Sequence, residues 1–151
     1  MKRWSKLQKE LYFIIDPQID FQIHCAAYPI GTRGNTVPRY WITLGKEIIF
    51  DYPKQFALSE WHVGYPFHEV VPKISGLIRE YIDTPATEIL TKHFEHDCWD
   101  LTSIFRAADR RIGQRRLKLL QDTAKNPAVQ KILAARIKDI QKTDNNILNH
   151  E

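Results

Sequence analysis

Cysteine and long apolar runs are both scarce in this chain, and each shortage closes off a class of protein. Cys25 and Cys98 are the two cysteines of 151 residues. They form no CxxC pair and are too few for a disulfide framework, so a reduced, cytoplasmic protein is the simplest expectation. No apolar run approaches the roughly 20 residues that span a bilayer. The opening MKRWSKLQKELYFIIDP is basic, but Lys6, Lys9 and Glu10 interrupt it. It therefore lacks the unbroken apolar stretch, on the order of 7–15 residues, of a secretory signal, and no membrane partner is expected. The GTRGN stretch at 31–35 sets glycines beside a phosphate-friendly arginine, yet it has neither the Walker lysine nor a helix opening behind it. GxSxG, HExxH and dinucleotide fingerprints are missing. So are internal repeats and low-complexity tracts.

What is present is ordinary in amount and uneven in placement. Hydrophobic residues make up 43% and charged residues 26%, as expected of a globular protein. The length fits a single domain, 1–151, that buries about two-thirds of its unfolded surface. The net charge is +4, but residues 101–151 carry eleven Lys/Arg against five Asp/Glu, while residues 1–100 carry eleven against thirteen. Basicity is a property of the C-terminal third, and such asymmetry bears on solubility and on steering of anionic partners.

Periodicity divides the chain near 53–72. Before that stretch, Trp4, Leu7, Leu11, Ile14 and Ile15 recur at helical spacing until Asp16-Pro17 stops them. Ile19, Phe21, Ile23 and Cys25 then alternate with polar neighbours, which predicts a half-buried strand. RYWITL and EIIFDY flank Gly45-Lys46, the pattern of a hairpin with a type II′ turn. The connector 53–72 has no clean period, with a short helical piece expected at KQFALSEW (54–61). Beyond it, Val71, Ile74, Leu77, Ile78 and Ile82 form an amphipathic face, and Thr84-Pro85 opens a short helix to about His93. Asn126-Pro127 pairs an N-cap with proline at the first helical position. Behind it, Val129, Ile132, Leu133, Ile137 and Ile140 make a stripe. The predicted class is α+β: an N-terminal helix, a small, mostly antiparallel sheet of about three strands, and a helical C-terminal half packed on it.

The loudest stretch is RAADRRIGQRRL at 106–117, with five arginines and one aspartate around a single glycine. On one helix at about 100° per residue, Leu101, Ile104, Phe105, Ala108 and Ile112 share a face. Past Gly113 that face would receive Arg115 and Arg116, so the phase breaks there. The expectation is one helix ended by Gly113 as a left-handed cap and a second using Leu117, Leu120 and Ala124, with a continuous helix kinked at Gly113 as the alternative. As a helix-turn-helix the segment is poor. Asp109 occupies a position that commonly wants a small residue, and base-reading side chains are scarce. Arg106, Arg110, Arg111, Arg115, Arg116 and Lys118 nevertheless remain the candidate contacts for an anion or nucleic acid. The competing structural reading has arginine stems covering apolar surface and Asp109 receiving a guanidinium fork that fixes the helix junction.

RWSKLQ, RYWITLGKEIIFDYP and ADRRIGQRRL, in that order, resemble blocks of a family of small conserved hypothetical bacterial proteins. The likeness covers nearly the whole chain. It implies a compact, one-domain bacterial protein and carries over no reaction, ligand or functional residue.

Elsewhere, His93, His96 and Cys98 in KHFEHDC are candidate metal ligands, with His93 and His96 able to share a helix face. The spacing matches no common finger, and the alternative is a solvated helix end where Asp97 or Asp100 caps the next helix and Trp99 is tucked into the core. His24 and Cys25 point to opposite strand faces and cannot pair as base and nucleophile. No catalytic residue, cofactor or metal is assigned. Trp41, Trp61, Tyr52, Tyr65 and Phe67 crowd the connector and would anchor a protein interface if exposed. The favoured reading is a small cytoplasmic, non-catalytic interaction or binding protein with another protein as partner. The alternatives are a nucleic-acid-associated protein using its basic C-terminal third and an enzyme of unidentified reaction.

Overall fold

A computed structural model describes residues 4–30, 35–52, 67–97 and 99–148. Helix α1, Trp4–Ile14, buries Leu7, Leu11 and Ile14, which sit on one side of the wheel, and turns Lys6, Lys9 and Phe13 outward. Asp16 stops it. Its carboxylate accepts the Gln18 N–H at 2.9 Å, a local turn that competes with helical bonding.

Three antiparallel strands follow in the order β1-β2-β3: Phe21–Ile30, Asn35–Leu44 and Glu47–Tyr52. Register is set by the alternation. Phe21 faces Leu44, Ile23 faces Ile42 and Cys25 faces Tyr40, so one apolar face is continuous, with Phe21, Ile23, Tyr40 and Ile42 buried and Cys25 and Leu44 partly buried. The hairpin turn holds Gly45 at φ 60, while Lys46 has no positive φ, the combination a type II′ turn requires. A register shift at Ile42/Thr43 inserts Ile49 as a bulge residue. GTRGN up to Gly34, and KQFALSEW, lie outside the described residues.

Helix α2, Phe67–Asp83, starts within the expected connector, so residues 67–72 are helical backbone instead. Its core face carries Ile74, Leu77, Ile78 and Tyr81, all buried, whereas Ile82 is only half-buried. The glutamate of α1, Glu10, pairs with Arg79 of α2, and the Tyr40 hydroxyl meets Ser75 at 3.3 Å.

Residues 85–92 differ from expectation. They form successive turns, with Glu88 N–H on Pro85 O (3.0 Å) and Lys92 N–H on Glu88 O (2.9 Å), and no helix. The carbonyls of Ile89 and Lys92, which a longer helix would use internally, instead accept the Arg106 guanidinium at 2.8 and 2.7 Å. Asp100 holds the N-cap position of α3, Leu101–Ala108, without a side-chain cap bond; the Asp97 carboxylate supplies it, taking the N–H groups of Leu101 (3.0 Å) and Thr102 (2.9 Å) and the Thr102 hydroxyl (2.6 Å). Two orphan donors of the first turn are thereby satisfied. Trp99 is partly buried against the core and meets Tyr52 edge-on at 5.9 Å.

The break expected at Gly113 comes earlier. Helix α3 ends at Ala108, and Asp109 is extended at φ −73, ψ 118 because it pairs antiparallel with Ile15. Asp16 N–H donates to Ala108 O and Arg110 N–H to Ile14 O, both at 2.8 Å. Those two backbone bonds to the end of α1 replace the next helical turn. Gly113 is not a left-handed cap; it is extended at φ −78, ψ 170 and precedes α4, Gln114–Thr123. Leu117 is thereby returned to the core. Helix α5, Pro127–Leu148, begins where Asn126 Oδ1 accepts the Ala128 N–H at 3.0 Å. Val129, Ile132 and Leu133 are buried; the Ile140 side chain lies outside the description. Among the described residues no helix is long and apolar enough to cross a membrane.

Candidate functional site

The bridge between Ile15 and Asp109 places a carboxylate at 0% exposure. A charge in that position is costly unless donors surround it. Arg111 supplies a fork, with Nη2 at 2.7 Å from Oδ2 and Nε at 3.0 Å from Oδ1. Its own backbone N–H adds a contact at 2.9 Å, and Tyr81 donates its hydroxyl to Oδ2 at 2.8 Å. The hydrogen bonds from Arg111 to Asp109 hold its guanidinium above the usual arginine range. Burial, reinforced by the Asp109 charge, pushes the Tyr81 hydroxyl far above the usual tyrosine range. Arg111 Nη1 also reaches Thr84 O at 2.9 Å. The node therefore ties the end of α2 to the α3–α4 turn.

Arg136 of α5 locks the same turn from the other side. Only 5% exposed, it donates from Nε to Asp16 (2.9 Å), from Nη1 to Ala107 O (2.9 Å) and Asp109 O (3.1 Å), and from Nη2 to Ile112 O (3.2 Å). The planar fork suits this clustered set of acceptors in a way a lysine ammonium would not. Sequence reasoning passed over Arg136, although a signal existed: it falls on the apolar stripe, three residues after Leu133 and four after Ile132.

The arginines of 106–117 thus do different jobs. Arg106 and Arg111 are bound to backbone carbonyls and Asp109. Arg110 is exposed and lies over the Phe13 ring, 4.5 Å from its centroid. Arg115, Arg116 and Lys118 are exposed on α4, and among the described residues no ion pair engages them.

His93 and His96 are both exposed and share no helix, while Cys98 lies outside the described residues. Asp97 is committed to the start of α3. Among the described residues no group of three His, Cys, Asp or Glu is placed to hold a metal. His24 and Cys25 do part company. His24 stacks on Trp41 at 4.9 Å on the outer sheet face, and Cys25 packs against the core, where burial pushes its thiol up.

Every residue of the junction, from Asp16 to Arg136, lies within the segments 3–69 and 71–137 that match the model of the SF0329 protein family. The chain belongs to that family. No curated protein and no solved structure matches it. In this SF0329 family member, Phe13 at the end of α1 is the most exposed large hydrophobic side chain among the described residues, 70% exposed, and it lies under Arg110 of the junction. With Lys6 and Lys9 it falls within a 60° arc of the wheel, at about 100° per residue. It was not singled out from sequence, although it sits opposite the Leu7–Leu11–Ile14 stripe, where an aromatic residue has no core to fill.

Proposed function

We propose that this is a small cytoplasmic, non-catalytic binding protein of bacterial origin that engages another protein through the outer face of α1. The observation that supports the reading is Phe13, a large aromatic left in solvent with Arg110 stacked over it. Burying such a ring is worth roughly 2–3 kcal/mol, whereas the cation–π contact at an exposed site returns only about 0.5–1 kcal/mol. Aromatic rings and arginines are the residue types that dominate interface energetics. Lys6 and Lys9 extend the face with positive charge. The test is affinity capture from the native host with the unaltered chain and with Phe13→Ser. A protein partner recovered by the first and lost by the second supports the reading; capture of the same proteins by both overturns it.

A second reading has a specific observation of its own. Arg115, Arg116 and Lys118 stand exposed on one short helix, which suits contact with the phosphates of a nucleic acid. It ranks below the first because the neighbouring Arg106 and Arg111 are already committed to the protein's own backbone.

A further inference from the structure

Helix α3 and the α4–α5 corner do not close on one another. Between them lies a cleft of about 310 Å³, with Asp100, Ser103 and Arg106 on one wall and Leu120, Lys125 and Val129 on the other. That is the small end of the range for ligand-binding clefts.

The charged wall is organised in advance. Arg106 is clamped through Nε and Nη2 by the carbonyls of Ile89 and Lys92, and its guanidinium carbon sits 5.5 Å from the centre of the Phe94 ring. Nη1 has no acceptor among the described residues. Because no buried side-chain nitrogen or oxygen among the described residues lacks a partner, that edge of the guanidinium is open to solvent. A fixed fork with one free edge loses little entropy on meeting a carboxylate. Lys125, exposed and outside every ion pair of the described residues, is a second cation on the opposite wall.

The one carboxylate in the cleft is already engaged. Asp100 accepts Ser103 Oγ at 2.5 Å and Asn126 Nδ2 at 2.9 Å, holding a left-handed backbone at φ 60. Positive charge therefore exceeds negative in the cleft, and the rest of its lining sets the aliphatic Leu120, Ala124 and Val129 beside Thr123 and Asn126.

We propose that this cleft binds a small organic carboxylate with a short branched aliphatic chain. The carboxylate sits between Arg106 Nη1 and Lys125, and the chain lies on Leu120 and Val129. Such a ligand comes as a plain fatty acid or as an α-amino acid, whose ammonium would meet Asp100.

The test is amide NMR of the full chain titrated with 4-methylpentanoate, with leucine, and with 4-methylpentan-1-ol as the uncharged isostere. The expected result is saturable shifts confined to residues 100–106 and 120–129 for at least one acid. The tighter acid identifies the source, and the alcohol, which loses the charge-assisted contacts to both Arg106 and Lys125, binds about a hundredfold more weakly. Lys125→Met, at an exposed position, should keep the unliganded spectrum and weaken the acid about tenfold; Leu120→Trp should abolish the shifts by filling the cleft. Absence of saturable shifts up to about 20 mM with either acid, equal binding of the alcohol, or unchanged binding by Lys125→Met overturns the proposal.

Discussion

Arg136 Nε donates to Asp16 Oδ2 at 2.9 Å, joining α5 to the exit of α1 across 120 residues of chain. The same guanidinium serves three backbone carbonyls of the α3–α4 turn, so one side chain closes a ring of elements that share no local sequence. Losing it leaves buried acceptors without donors. Arg136→Ala should destabilise by about 3 kcal/mol, a fall in Tm of roughly 6–12 °C for a chain of this size. A change under about 1 kcal/mol in urea denaturation would show that water replaces the guanidinium without cost.

At the other side of the turn, Arg111→Ala strands the fully buried Asp109 with Tyr81 as its remaining side-chain donor. Breaking a buried pair from one side typically costs about 3–5 kcal/mol. Tyr81→Phe removes one hydroxyl and should cost about 1–2 kcal/mol. Arg110→Ala, at an exposed position over Phe13, should change the denaturation midpoint by less than either. Equal losses from Arg110→Ala and Arg111→Ala would contradict the division of labour.

Tyr81 and Tyr40 both hold their protons above the usual tyrosine range, chiefly because burial penalises the phenolate. In the unfolded chain those phenols ionise near about pH 10. The folded state keeps protons that the unfolded state releases, so their contribution is fully present below that pH and is lost as pH rises through the folded values. Stability should therefore fall above about pH 10. Phenolate absorbance of these two tyrosines should develop only with the loss of circular dichroism; full ionisation of all six tyrosines in a folded protein would contradict this.

Asn126 caps α5 through the Ala128 N–H and reaches Asp100 with its amide nitrogen. Asn126→Ala should cost about 1–2 kcal/mol, whereas Asn126→Asp, which keeps the cap oxygen but sets two carboxylates together, should fall between. An unchanged midpoint for Asn126→Ala would mean the helix start is satisfied otherwise.

Arg115→Glu with Arg116→Glu alters an exposed surface, and the fold should be unaffected within about 0.5 kcal/mol. Weak retention on single- or double-stranded DNA at low salt should drop, with the log–log salt slope reduced by roughly one unit per lost phosphate contact. Retention of tight binding at physiological salt by the unaltered chain, lost in this variant, would promote the nucleic-acid reading above the protein-interface one.

What the sequence determined by itself was everything whose cause lies within a few residues. Asp16 ends α1 by an Asx turn; the period of two from Phe21 to Cys25 defines the inner sheet face; Gly45 supplies the one positive φ the hairpin needs; Asn126-Pro127 starts α5. The break in helical phase before Leu117 was visible as well, because Arg115 and Arg116 could not continue an apolar face. Its position was not. Ala108 ends α3 because Asp109 finds Ile15, and residues 85–92 stay as turns while Arg106 takes their carbonyls. Tertiary structure alone sorted the arginines, since burial and a carbonyl within 3 Å are set by elements distant in sequence. A guanidinium looks the same in the chain whether it will meet Asp16, a carbonyl or water, and only the packed neighbours decide among them.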